Sequence, residues 1–360
     1  MEAISICVIC KNEEKNMDTF LSRIVQFTKA CPVETVIVDT GSTDRTPEII
    51  SRYPVRLLHF DWINDFSAAR NYSIKQAKND WILVLDCDEY LEELDFDALQ
   101  LFIQQHPTDV GVLFRKNHFY NSEGGESVAP DDVERFFNRK HYHYEAIIHE
   151  QVCALNGKPY TRIRIPITVD HGGYVGSLEE LKQKAQRNDE LLLKMLEANP
   201  DDPYVYFQLG QSANLLHDDE KACYYYGKAL EYDLDPHTLY VQLLVNAYGY
   251  CLLHLERYEE ALQFENIYDE FATNADFCLL MGLIYLRTGN VLKAMAEFYK
   301  ATTFETAHVE GANSYIPTFN MALINELMGD KETAITLYQK CGNYPKALER
   351  LQEIEKTTQP

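Results

Sequence analysis

The sequence predicts an α/β domain with a mixed, mostly parallel sheet, followed by an all-α domain of repeated helical hairpins. Three observations predict it. Short β-branched runs alternate with helical stretches through the first part of the chain. Polar residues stand directly after three of those runs. In the second half, small residues recur in pairs twelve positions apart.

Taken in order, Ile4 to Cys10 reads as a buried strand and residues 14–30 as a helix. Residues 35–39 form a second strand, closed by the turn Thr40-Gly41-Ser42. A helix over 43–52 follows, with Pro47 tolerable only in its first turn. Residues 55–60 give a third strand, 67–78 a helix and 81–85 a fourth strand. Near-continuous apolar strands alternating with helices imply a parallel sheet covered on both faces. Residues 111–169 are strand-like and turn-rich, and read as an antiparallel extension of that sheet. The next segment, from Leu178 to Ala198, is an amphipathic helix stopped by Asn199-Pro200 and Pro203.

Beyond that helix the chain repeats. Gly210 and Ala222, Gly249 and Ala261, Gly282 and Ala294, and Ala322 and Ala334 are each twelve residues apart. That spacing is the signature of tetratricopeptide (TPR) repeats, in which small residues let the two helices of a hairpin approach closely. Each unit buries its face on its neighbours, so four units share a continuous core. The expected organisation is a catalytic domain over 1–176, a linker helix over 177–200 and TPR-like repeats over 201–360.

Composition narrows the function. The 360 residues carry a net charge of −23. This disfavours general affinity for nucleic acid, whose phosphates reward basic surfaces. It also disfavours charge-driven docking on an anionic membrane. No segment approaches the roughly 20 apolar residues of a transmembrane helix, and Met1-Glu2 lacks the basic start of a signal peptide. The nine cysteines are odd in number and scattered, and Cys7-x-x-Cys10 has no second pair. A reducing cytoplasm is the expected location.

Ligands of such sheets bind beyond the carboxyl ends of the strands. Lys11-Asn12-Glu13, Asp39 and Asp86-Cys87-Asp88-Glu89 all stand there. Two carboxylates separated by one residue at the end of a buried strand suit a hard divalent cation, Mg²⁺ or Mn²⁺. Such an ion offsets the charge of a diphosphate. The plainer alternatives are a turn and helix cap for residues 39–44, a structural ion pair for Arg70 and a cap for Glu13.

Four stretches, Ile6-Cys-Val-Ile-Cys-Lys11-Asn12-Glu13-Glu14, Val38-Asp39-Thr-Gly-Ser-Thr-Asp44, Ala69-Arg70-Asn71 and Asp86-Cys87-Asp88, resemble family-2 glycosyltransferases of the GT-A fold in order and spacing. The resemblance covers roughly the first half of the chain. It implies nucleoside contacts from Glu13 and Asp39, and ribose or diphosphate contacts from Arg70 and Asn71. It further implies a ribose- or metal-facing Asp86 and a metal-ligating Asp88. Ala146-Ile-Ile-His149-Glu150-Gln151 and Asp170-His171-Gly-Gly-Tyr174 resemble a branch that includes enzymes of lipopolysaccharide core assembly and peptide S-glycosyltransferases. By that resemblance His171 completes the metal site and Glu150, next to His149, is the candidate base, with Asp132 the alternative. No Glu-Asp pair stands at the family's usual base position.

The implied activity is an inverting transfer from a UDP-sugar to a peptide, protein or cell-surface glycan. The repeats then serve acceptor binding or, equally, homodimerisation. Two other readings compete. A nucleotidyltransferase needs a Gly-rich basic loop where this chain has Lys11-Asn-Glu-Glu14. A TPR scaffold with an inactive transferase domain would not need Asp86 and Asp88.

Overall fold

The computed structural model describes residues 1–120, 126–172 and 178–358. The chain divides into two compact units, Met1–Leu191 and Leu192–Pro360. Part of the segment Asp170-His-Gly-Gly-Tyr174, from Gly173 on, lies outside the described residues.

The first unit begins with β1 (Ile4–Cys10), α1 (Met17–Thr28), β2 (Val33–Asp39), α2 (Thr46–Ile50), β3 (Arg56–His59), α3 (Phe66–Gln76) and β4 (Trp81–Val84). It continues through β5 (Glu89–Leu94), α4 (Phe96–Gln105), β6 (Val110–Tyr120), β7 (Glu126–Asn138), β8 (Tyr142–Glu145), β9 (Gln151–Ala154) and β10 (Arg162–His171). The last helix, α5 (Leu178–Ala198), belongs to this unit as far as Leu191. Eight strands form one sheet in the order β3-β2-β1-β4-β7-β6-β10-β5, and β8 pairs with β9 separately.

The first four strands are parallel, as their apolar runs require. Ile4, Ile6, Cys7 and Val8 of β1 are fully buried. Residue side chains of β1 and β4 split between two apolar clusters, one holding Ile4, Ile6, Val8 and Leu83 and the other Cys7, Ile82 and Val84. Both faces of the sheet are therefore covered. The α2 helix shrinks from the expected ten residues to Thr46–Ile50, with Pro47 in its first turn. Asp65 and Asp95 cap α3 and α4 by accepting from the Ala68 and Ala98 N–H groups at 2.8 and 3.0 Å.

Two features depart from the sequence expectation. A strand and a helix, β5 and α4, stand between the fourth strand and residue 111. The extension is also not wholly antiparallel: β7 runs antiparallel to β4 and β6, but β10 runs parallel to β6 and antiparallel to β5. In β7 the register slips, with Phe136 opposite Gly111 and Glu134 opposite Val112, so Arg135 is the extra residue of a β-bulge. Gly111 is required there, because a Cβ would lie 2.8 Å from Ile165 and 3.0 Å from Phe136.

In the second unit, helices Pro203–Leu215 and Asp219–Ala229 form one hairpin, Ala275–Arg287 and Val291–Ala301 another, and Tyr315–Leu327 and Lys331–Lys340 a third. The small residues act as the spacing implies. A Cβ on Gly210 would meet the Tyr226 ring at 2.3 Å, and one on Gly282 the Phe298 ring at 2.5 Å. Both rings are fully buried. Helix Leu239–His254 begins the poorer unit. Its partner segment is broken into Tyr258–Ala261, a 3₁₀ turn Leu262–Ile267 and Tyr268–Phe271. The aromatic position shifts with it: sixteen residues after Gly249 stands Glu265, where the good units place Tyr226, Phe298 and Tyr338, and the ring that a Cβ on Gly249 would meet is Phe264, one position earlier.

Gly282→Ala is therefore expected to lower the stability of the helical unit by about 1–3 kcal/mol through overpacking. A thermal melt followed by far-UV circular dichroism checks this. An unchanged melt would mean that the hairpin does not close on Phe298.

Candidate functional site

The loops after β1 and β2 hold one another. Asn12, at φ 57°, donates its N–H to Ser42 Oγ at 2.9 Å and accepts from Thr43 N at 2.8 Å. Glu14 N donates to Asp44 Oδ2 at 3.1 Å, and Glu13 N to Thr46 Oγ1 at 2.7 Å. Much of the polarity here is thus spent on building two turns. Asp39 shares in this: Ser42 Oγ and Ser42 N donate to it at 2.5 and 3.1 Å. The plainer turn-cap role proposed for residues 39–44 is present in the structure, whatever else Asp39 does.

The Glu13 carboxylate accepts from Asn16 Nδ2, at 2.8 Å to Oε2. Burial raises its pKa, Asn16 opposes the rise, and the negative charges of Asp88 and Asp86 add to it. The parallel pairing of β1 with β4 is what sets these strand ends side by side.

Asp86 is held on both oxygens. Arg70 Nη2 donates to Oδ1 at 2.7 Å and Arg135 Nη2 to Oδ2 at 2.6 Å. Burial disfavours its charge, but Arg135 and Arg70 outweigh that and hold its pKa well below the usual carboxylate range. Arg135 also donates to Glu89 Oε1 at 2.8 Å. Glu89, fully buried, accepts Arg115 Nη1 at 3.0 Å and the Asp86 N–H at 3.0 Å. Arg115 in turn grips Asp131 bidentately at 2.9 and 2.6 Å. The bulge in β7 is what aims Arg135 at this network.

On the other side of Asp86, Arg70 Nε donates to Glu150 Oε1. Burial lowers the Arg70 pKa, and Asp86 and Glu150 more than reverse this. One guanidinium therefore joins the first Asp of the paired-carboxylate motif to the candidate base. The Arg70 guanidinium lies over the Tyr144 ring, 5.6 Å from its centroid, and burial lifts the Tyr144 phenol to about 12. Glu150 ends a loop with two left-handed non-glycine residues, Ala146 (φ 76°) and His149 (φ 52°). Backbone strain of this kind concentrates at functional sites.

Asn71 has a different engagement. Its Nδ2 donates to Tyr144 O at 2.8 Å and its Oδ1 accepts from Tyr144 N at 2.9 Å, so the side chain pins β8 to α3 as a strand neighbour would. Asp132 is removed from the cluster and pairs with Arg164 on β10.

Asp88 faces His171: the Nε2 to Oδ2 distance is 3.4 Å. The other ring nitrogen, Nδ1, is 2.7 Å from Asn117 Oδ1, an acceptor, so Nδ1 carries a proton and Nε2 is the nitrogen turned to Asp88. An outer hydrogen bond that fixes the tautomer is the usual support of a ligating histidine. Asn117 is itself held by Asp131, at 3.0 Å. Among the described residues no group of three or more His, Cys, Asp or Glu could hold a metal ion. Asp88 and His171 fit a divalent ion as two ligands of an open site, the remaining positions left for substrate oxygens and water.

Arg135, Arg115 and Asn117 escaped sequence reading. They lie in strands whose charged residues look like a solvated face, and only Gly111 hinted at the bulge.

The glycosyl transferase family 2 model matches residues 5–155, and a tetratricopeptide repeat model matches residues 275–308. A TPR repeat-containing protein of Synechococcus elongatus is 32% identical over 218 residues, covering 58% of this chain and 52% of that protein. The SPbeta prophage-derived glycosyltransferase SunS of Bacillus subtilis is 27% identical over 241 residues, covering 63% of this chain and 53% of SunS. The lipopolysaccharide core biosynthesis glycosyltransferase LpsC of Rhizobium meliloti is 30% identical over 95 residues, covering 25% of this chain and 33% of LpsC. The chain spans about half the length of the first two relatives. Residues 5–155 are thus a glycosyl transferase family 2 domain, followed in the same chain by a tetratricopeptide repeat.

Proposed function

We propose that this chain is an inverting, metal-dependent glycosyltransferase that moves a sugar from a UDP-sugar to a peptide, protein or glycan acceptor. The observation that carries the reading is the pairing of Asp88 with a tautomer-locked His171 beside Asp86 and Glu13 at the ends of β4 and β1. The glycosyltransferase names of SunS and LpsC support it.

In this reading Asp88 and His171 hold Mg²⁺ or Mn²⁺, and a divalent ion there supplies electrostatic stabilisation of the departing diphosphate. Both oxygens of Asp86 are engaged by arginines, so we assign Asp86 to ribose contact and to fixing the loop before Asp88. Glu13 and Asp39 take the nucleoside. Arg70 positions Asp86 and Glu150, and Asn71 holds the strand that precedes the Glu150 loop. Glu150, beside His149, accepts the proton from the acceptor hydroxyl or thiol as that atom bonds to the anomeric carbon and the bond to the UDP oxygen breaks. A cysteine acceptor would depend less on this base, because thiolate is accessible near neutral pH.

The helical repeats provide the acceptor surface in this account, since stacked hairpins present extended binding faces. All nine cysteines are free thiols, which suits a reducing cytoplasm. No described helix is long and apolar enough to cross a membrane.

UDP release from a panel of UDP-sugars, measured with and without Mn²⁺, tests the proposal. Metal-dependent release from at least one donor supports it. No release, together with no thermal shift by UDP plus metal, would favour an inactive scaffold. Within an active protein, Glu150→Gln should cut turnover by about 10²–10⁴-fold, the usual worth of a general base, while donor affinity stays near wild type. Wild-type turnover in that variant would place the base elsewhere.

A further inference from the structure

One arginine near the crevice stands apart from the others. Arg70, Arg135 and Arg115 are each taken up by two carboxylates: Asp86 and Glu150, Asp86 and Glu89, and Glu89 and Asp131 respectively. They neutralise the site's own acids and bring it little surplus positive charge. Arg187, on the part of α5 that belongs to the first unit, has no carboxylate within ion-pair distance among the described residues. Its polar contact is with Asn188 Oδ1 at 3.2 Å.

The Arg187 guanidinium lies over the Phe66 ring, 5.4 Å from its centroid. Phe66 opens α3, and its N–H donates to Ile147 O at 2.9 Å, in the loop that delivers His149 and Glu150. Arg70 follows Phe66 by four residues and so projects from the same side of α3. The ring that supports Arg187 is therefore tied to both elements that carry Arg70 and Glu150. Glu13 is also within electrostatic reach: desolvation lowers the Arg187 pKa and the Glu13 charge opposes that fall.

A guanidinium stacked on an aromatic face keeps its edge N–H groups directed outward, and that planar fork matches phosphate oxygens. The crevice holds acidic Glu13, Asp39, Asp86 and Asp88, so a nucleoside diphosphate entering it needs a cation that the site has not already spent. We propose that Arg187 binds the outer phosphate of the donor's nucleoside diphosphate, acting beside the Asp88–His171 pair. This rests on the glycosyl-donor reading above and adds to it a residue from the helix that follows the sheet.

The test uses the full chain in buffer containing Mn²⁺, with UDP and UMP titrated calorimetrically into wild type, Arg187→Ala and Arg187→Lys. Loss of a charge-assisted phosphate contact should weaken UDP binding about tenfold or more in Arg187→Ala. UMP binding should change by less than about twofold, because the outer phosphate is missing, and Arg187→Lys should fall between wild type and alanine. Unchanged UDP affinity would overturn the proposal. Equal weakening of UDP and UMP would also overturn it, by assigning Arg187 a structural role in α5. Wild-type protein that binds neither nucleotide would instead overturn the donor reading, and this proposal with it.

Discussion

Replacing Asp88 with alanine is expected to abolish metal-dependent UDP binding and to lower turnover by about a thousandfold, while the protein stays folded. The magnitude follows from the several kcal/mol that a bound cation contributes at a departing phosphate, at 1.36 kcal/mol per tenfold in rate. Asp88 is the clean position for this experiment. Its side chain is about one-third exposed, and the His171 ring that faces it is already held by Asn117. The same change at Asp86 would leave Arg70 and Arg135 facing each other, and a loss of activity there would mix binding with folding. Calorimetric titration of UDP with and without Mn²⁺, alongside a UDP-release assay, reads both effects. An Asp88→Ala protein with normal turnover would remove the metal-site argument.

Arg135→Met is expected to be the most destabilising single change in the first unit. It deprives the fully buried Glu89 and the half-buried Asp86 of a shared cation. Breaking a buried pair from one side costs about 3–5 kcal/mol, because the remaining charge is left uncompensated. Both tryptophans, Trp62 and Trp81, lie in Met1–Leu191, so their fluorescence reports the unfolding of that unit. A urea titration followed at tryptophan should show the midpoint fall sharply, and helix-dominated circular dichroism should show a second transition left in place.

The pH dependence follows from the same contacts. Arg135 and Arg70 hold the Asp86 pKa below its unfolded value of about 3.9. Stability from such a group is complete above the unfolded pKa and is lost as pH falls through the folded one. Wild type should therefore keep the Asp86 contribution down to about pH 4, and in Arg135→Met, where Arg70 alone holds the carboxylate down, that contribution should be smaller and its loss below about pH 4 correspondingly shallower. Equal stability of wild type and variant would mean that the bulge arginine is solvated and the network is loose.

Legibility from sequence varied with the physics behind each element. The β1 strand and the helix Leu178–Ala198 were readable to the residue, since one is an unbroken apolar run and the other a long amphipathic pattern closed by Asn199-Pro200. The hairpin spacing was readable because close helix approach demands small residues, and Gly210 and Gly282 sit where no Cβ fits. The α4 helix left a signal that was passed over: Asp95 as cap, then Leu99, Phe102 and Ile103 on one face. The crevice carboxylates stood out because strand ends expose them in a known order.

Their partners did not stand out. Arg135 reaches Asp86 only through a register slip in β7, and no local pattern encodes a slip that depends on Gly111 in the neighbouring strand. Asn117 matters through its bond to His171, a contact 54 residues apart in sequence. Arg187 looks like any charged residue on an amphipathic helix until Phe66 is seen beneath it. Chemistry-bearing residues were visible one at a time, whereas the groups that orient them became visible only through tertiary pairing.

The most direct test of the account is anomalous diffraction from crystals of the protein soaked with Mn²⁺ and UDP. The account predicts one strong manganese peak within bonding distance of Asp88 Oδ2 and His171 Nε2, with the UDP phosphates completing its coordination. UDP bound in the crevice with no metal beside Asp88, or manganese held at another place, would contradict it.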